Sequence, residues 1–233
     1  MKKSLITATV KNRNIFTLLI LMFGFISTSI AKEGKTDVNA LISETQKHSN
    51  TAHKVAMIWW MPEQFWQASF EQDPNATAAQ AEAVMKTLRP YTVLVAVDGE
   101  IGTIGGITYK PQATVQNTIQ IVDAKGTHYR PLSDEKISPD ARNFLAMMKP
   151  VLANMLGAMG QNMNFFLFPT VNKKGENVIN AKTEGAFSVW LDKTEFKWRL
   201  PLGSLIPPKT CPVDGEKLSG AWKFCPWHGV ELK

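Results

Sequence analysis

The chain has 233 residues, with 26 basic and 20 acidic side chains, a formal net charge of +6, 44% hydrophobic residues and only two cysteines. Two cysteines are too few to frame a disulfide-dense miniprotein, so apolar burial must hold the body together. The basic excess does not point to nucleic acid. Lys2, Lys3, Lys11 and Arg13 fall within positions 1–31, which hold no acid, so 22 basic residues face 20 acidic ones beyond them, without a Lys/Arg run interleaved with aromatics.

Residues 1–31 read as a sorting signal. A basic head precedes an apolar run from Ile15 to Ile26, and "STSIA" then places Ser29 and Ala31 at the −3 and −1 positions of a small-residue cleavage site, before Lys32. The run is about 12 residues, short of the roughly 20 that a membrane span needs. The segment also lacks the cysteine of a bacterial lipoprotein anchor. The expectation is a periplasmic or secreted protein, bacterial rather than eukaryotic, with no membrane span after signal removal.

Residues 32–52 are polar, a loose lead-in or short helix. "KVAMIWWM" (54–61) reads as a buried strand closed by Pro62, and "PEQFWQASFEQ" as one or two helical turns. A helix is predicted over 75–88, with Thr77 and Gln80 as a capping box and Pro90 as its stop. "YTVLVAVDG" (91–99) is a β-branched strand ending in an Asp-Gly turn. "GTIGG" (102–106) reads as a loop or bulge, since it lacks a phosphate-loop pattern and a following helix. Hairpins are predicted over 117–132, with Ile119 and Ile121 on one face, and over 186–202, where Phe187, Val189 and Leu191 share a face with Phe196, Trp198 and Leu200. "NFFLFPTV" (164–171) is a further strand. A helical insertion spans about 138–160, started by Ser138-Pro139-Asp140 and kinked or split by Pro150. The predicted class is α+β and β-rich: an antiparallel sandwich, with an immunoglobulin-like arrangement among the options. "PLGSLIPPKT" reads as a stiff linker, which gives a body over 32–205 and a tail over 206–233.

The tail carries both cysteines and repeats itself. Cys211, Pro212, Gly215 and Leu218 recur as Cys225, Pro226, Gly229 and Leu232. This pair of Cys-Pro-x-x-Gly turns resembles a short zinc ribbon, whose knuckles read Cys-Pro-x-Cys-Gly. The resemblance covers about 23 residues and implies a small two-knuckle β-fold with a tetrahedral metal site. Asp214 and His228 stand where that family has its second cysteines, so the implied ligand set is Cys211, Asp214, Cys225 and His228, with zinc as the metal. An exported protein also meets oxidants, and converging knuckles bring sulfurs together. A Cys211–Cys225 bridge, closing a loop of about 15 residues worth roughly 3 kcal/mol, is the preferred expectation. In that case His228 is a surface or packing residue, no cofactor is held, and Trp222 and Trp227 cover the knuckle or dock it on the body.

Met148, Leu152, Met155 and Met159 recur at helical spacing, with Met147 and Met163 nearby. This stripe suits core or interface packing better than Cu(I) binding. His48, His53 and His128 are scattered, and neither a Gly-x-Ser-x-Gly nor a histidine–carboxylate metal motif occurs, so no catalytic residue is assigned. The functional expectation is a non-catalytic binding or structural module of the cell envelope, with another envelope or extracellular protein as partner. A metal-binding protein and an enzyme with a site assembled from distant residues are the alternatives.

Overall fold

The computed structural model describes residues 36–49 and 51–233. The predicted signal and its Ala31/Lys32 cleavage point lie outside the described residues. The body runs α1 (Val38–Thr45), β1 (Gln46–His48), β2 (Lys54–Met61), α2 (Glu63–Gln72), α3 (Ala78–Leu88), β3 (Tyr91–Ile101), β4 (Ile107–Tyr109), α4 (Gln112–Thr118), β5 (Gln120–Val122), β6 (His128–Tyr129), α5 (Pro139–Met155), β7 (Asn164–Pro169), β8 (Gly185–Leu191) and β9 (Thr194–Leu200); β10 (Lys209–Thr210) and β11 (Lys217–Leu218) lie in the tail. About 33% of the described residues are helical and 29% in strands, and the antiparallel sheets do not close into a barrel, the mixed α+β class expected.

β3 is the axis of the larger sheet. One of its edges pairs with β2 over eight residues, from Val93↔Met61 to Glu100↔Lys54. The other edge is shared: its first half pairs with β7 and its last three residues with β4. β1 extends the sheet beyond β2. Every residue from Thr92 to Gly99 is buried, which explains the continuous apolar run, because a strand covered on both faces has no reason to alternate. Adjacent residues of β2 show what covers it. Trp59 turns to α2, with its ring edge-on to Phe65 at 5.2 Å. Trp60 turns the other way and meets Phe187 of β8 at 4.9 Å. Successive side chains of a strand face opposite sides, so this dipeptide joins a helical layer to the first sheet and that sheet to a second, of order β6-β5-β8-β9.

The predicted hairpin forms the second sheet in the expected register, Phe187 opposite Trp198 and Val189 opposite Phe196. Phe187 stacks on Trp198 at 4.9 Å. In the helical layer, Phe65, Trp66 and Phe144 of α5 continue the aromatic contacts at 5.2 and 5.4 Å. The capping box of α3 is present, with Thr77 Oγ1 accepting from the Gln80 amide while Gln80 Oε1 accepts from the Thr77 amide. Three expectations are corrected. Asp98-Gly99 is not a turn, because β3 continues to Ile101 and the chain reverses through the glycines of 102–106. Pro150 does not split α5, which remains one helix to Met155. The methionine stripe divides: Leu152 is buried and Met148 and Met159 pack on the core, whereas Met147 and Met155 are exposed.

A charge cluster pins the end of β3. The Asp98 side chain is fully buried, with Lys54 Nζ at 3.7 Å and Lys110 Nζ at 3.2 Å. Neither carboxylate oxygen has a well-angled hydrogen bond, so charge alone compensates its lost hydration. Burial pulls the Lys110 ammonium down, but contact with Asp98, helped by Asp192 and Glu100, outweighs it and leaves the pKa raised. Lys54 also donates to Thr194 Oγ1, which ties β2 to β9. Asp98→Ala should lower unfolding free energy by about 3 kcal/mol, the low end for a broken buried pair because both lysines keep some contact with water. Glu100→Ala, at the exposed edge of the cluster, should cost under about 1 kcal/mol. Urea denaturation of both variants measures the difference.

Candidate metal centre

The tail has a small core of its own, formed by Cys211, Leu218, Cys225 and Leu232 with Val230 against them. Its two turns are built alike. The Cys211 amide donates to the Glu216 carbonyl at 2.8 Å, and the Gly215 amide to the Cys211 carbonyl at 2.9 Å. The Cys225 amide donates to the Val230 carbonyl at 2.8 Å, and the Gly229 amide to the Cys225 carbonyl at 2.9 Å. Both glycines are left-handed, with φ of 76° and 65°, a conformation that costs other L-residues about 1–2 kcal/mol. The β10–β11 pair and a bridge between Phe224 and Glu231 hold the arms of the turns. The sequence repeat is thus a repeat of backbone geometry.

These turns bring the sulfurs to one point. His228 Nδ1 lies 3.4 Å from Cys211 Sγ and 3.5 Å from Cys225 Sγ. The three ligand atoms all lie within 4.8 Å of one another, so this Cys-Cys-His group could hold a metal ion. Both cysteines are free thiols, which corrects the expected Cys211–Cys225 disulfide. Each sulfur instead lies within 3.5 Å of the His228 ring. His228, expected as a surface or packing residue, is the ring on which the pair converges. Asp214 completes the surroundings: its Oδ2 is 3.8 Å from His228 Nδ1, and its Oδ1 accepts from the Glu216 amide at 3.0 Å. Three of the four residues implied by the resemblance, Cys211, Cys225 and His228, therefore form one group, and Asp214 lies beside its imidazole. Trp222 and Trp227 do not cover it, being 46% and 72% exposed.

The electrostatics separate the two sulfurs. Burial pushes the Cys211 thiol up, and the Val213 and Asp214 amides offset this only in part. Burial opposes ionisation of Cys225 as well, but the His228 and Trp227 amides, the His228 ring and the Cys211 thiol outweigh it and lower its pKa. The Glu216 amide and the Cys211 thiol hold the Asp214 carboxyl below its usual range. Amides aimed at each sulfur are what a thiolate needs when it is removed from water. Sequence reasoning found every member of this group through the repeat, but not the central place of the imidazole, which only the turn geometry supplies.

Gly215→Ala should strain the first turn by about 1 kcal/mol, and Gly215→Asn by less, since asparagine tolerates the left-handed region. Amide hydrogen exchange at Cys211 and Gly215 should accelerate in that order, with amides of β3 unchanged.

Comparison with protein-family models, curated proteins and solved structures finds no match to this chain.

Proposed function

We propose that residues 206–233 are a metal-binding knuckle of the zinc-ribbon kind, holding Zn²⁺ through Cys211, Cys225, His228 and Asp214. The observation that carries this reading is the pair of Sγ–Nδ1 distances, 3.4 and 3.5 Å. A tetrahedral ion with sulfur at about 2.3 Å and nitrogen at about 2.05 Å separates those ligands by about 3.5 Å. Both sulfur–nitrogen edges therefore already have the length a tetrahedral ion would need. Asp214, at 3.8 Å from the imidazole, needs a small side-chain adjustment to become the fourth ligand. Two thiolates, an imidazole and a carboxylate suit zinc better than the hard all-oxygen cations. When bound, the ion would cross-link the two turns and serve the fold rather than a reaction. A core of four buried residues is too small to hold a segment of this size unaided, which is the usual circumstance of structural metals.

For the body, the expected role as a non-catalytic envelope module that binds or holds another protein is retained as a proposal. Met147, Val151 and Met155, four residues apart along α5, are 64%, 52% and 59% exposed, an apolar stripe that supports a binding face. Among the described residues no helix is long and apolar enough to cross a membrane. Export itself rests on the signal-like segment.

Native mass spectrometry of the chain purified with zinc present should show one Zn²⁺ bound. Cys225→Ser and Cys211→Ser should each abolish retention, and Asp214→Ala should weaken it about tenfold or more while leaving it measurable. A metal-free chain lighter by two hydrogens would identify a disulfide and overturn the reading, as would zinc retained unchanged in both serine variants.

A further inference from the structure

The fourth donor of the tail differs from the other three. Asp214 and His228 occupy the same place in their turns, yet the longer imidazole is the one that reaches both sulfurs, at 3.4 and 3.5 Å. Cys211, Cys225 and His228 form a group whose ligand atoms all lie within 4.8 Å of one another, and Asp214 is not part of it. Its Oδ2 stops 3.8 Å from the imidazole, and its Oδ1 is engaged by the Glu216 amide at 3.0 Å. The fold itself gathers three donors, and the fourth has to be drawn in.

That fourth position faces water. The Asp214 and His228 side chains are 41% and 34% exposed, against 1% for each cysteine. Val213 and Trp227, which precede them in the two turns, are exposed as well. A ligand from solution therefore has access from the side of Asp214 and not from the side of the sulfurs. Softness decides which ligand. For a zinc site already built on two thiolates and an imidazole, a thiolate is a better donor than a carboxylate oxygen. Asp214 has the advantage of being tethered, which a free thiol offsets at roughly millimolar concentration.

We propose that Asp214 is a displaceable ligand, and that a small thiolate from solution takes its place beside Cys211, Cys225 and His228. The inference rests on the metal-binding reading of the knuckle. The exchange is a substitution without oxidation: a metal–sulfur bond forms, the bond to the Asp214 oxygen breaks, and the thiol proton passes to solvent.

Cobalt(II), a coloured stand-in for zinc, makes the exchange visible in the full chain. The reduced, cobalt-loaded protein is titrated with 2-mercaptoethanol under argon, with ethylene glycol as the same molecule bearing oxygen in place of sulfur. The sulfur-to-cobalt charge-transfer absorption should grow by about half, as three sulfurs replace two, and saturate at roughly millimolar thiol. Ethylene glycol should leave it unchanged. Asp214→Ala should take up the thiol at least about threefold more tightly. Asp214→Cys, which supplies the third sulfur from within the chain, should start at the higher absorption and not respond. Bound cobalt whose spectrum the thiol leaves unchanged would overturn the displacement and leave the knuckle standing, whereas failure to bind cobalt would remove both. Loss of the cobalt bands on adding thiol, or thiol uptake no tighter in Asp214→Ala than in the parent chain, would also overturn it.

Discussion

Two neighbouring indoles set the architecture. Trp59 and Trp60 lie next to each other in β2, so the pleat sends them to opposite faces, and each meets a phenylalanine from a different layer. A strand with a large aromatic on both sides cannot be left at a surface. It must lie inside, with helices on one face and a sheet on the other. β3, paired to it over eight residues, shares that position and is apolar from Val93 to Val97. The one charge it buries, Asp98, is placed where Lys54 of β2 and Lys110, just past β4, can reach it. Burial on both faces thus dictates the composition of the strands and also where their buried charge can sit.

The tail obeys another rule. Its apolar core is a handful of side chains, of which two are the cysteines themselves. Order there comes from the repeated turn, in which a left-handed glycine lets the chain double back and aim its amides at the sulfur. The tail is nonetheless anchored at its root. The Glu44 carboxylate of α1 accepts from the amides of Gly203 and Ser204 and from the Ser204 hydroxyl, just where the linker leaves the body. That grip fixes the first residues after β9, so the proline pair at 207–208 starts from a defined point.

The elements most legible in the sequence were those whose pattern has a single physical cause. In the hairpin of β8 and β9 the apolar set Phe187, Val189, Leu191, Phe196 and Trp198 was legible from its period of two and is buried, although Ser188, expected to point away, is buried too. The capping box of α3 needs only four residues and their side chains. Failures arose where distant contacts overrule a local preference. Asp98-Gly99 resembles a turn, but pairing with β2 on one edge and β4 on the other holds it extended. Pro150 should break a helix, yet it and Ala146, whose carbonyl loses its partner, are both exposed, so water can satisfy the freed group. α4 was missed because "QATVQNT" buries a single residue, Val115, and shows no apolar period. At the candidate metal centre the repeat marked Cys211, Cys225 and His228, the three residues that the structure brings together. Spacing carries no information on whether two sulfurs face each other or a third group, and that distinction separates a bridge from a ligand set.

The four donors are not equivalent, and their inequality follows from their places in the turn. Each cysteine opens its turn and points inward, where it is 1% exposed. Asp214 and His228 occupy the fourth position of each turn, with side chains 41% and 34% exposed. Water therefore reaches the group from the carboxylate and imidazole side, while the cysteines are buried in the small core with Leu218 and Leu232. In the proposed knuckle the inward pair supplies the strong, soft bonds. The outward pair, one of them a harder oxygen donor, forms the edge through which an ion enters or leaves. A four-cysteine knuckle has no such weak side. With Asp214 and His228 on the exposed side and both cysteines buried, the proposed site would be closed by the small core on one side and open to water on the other.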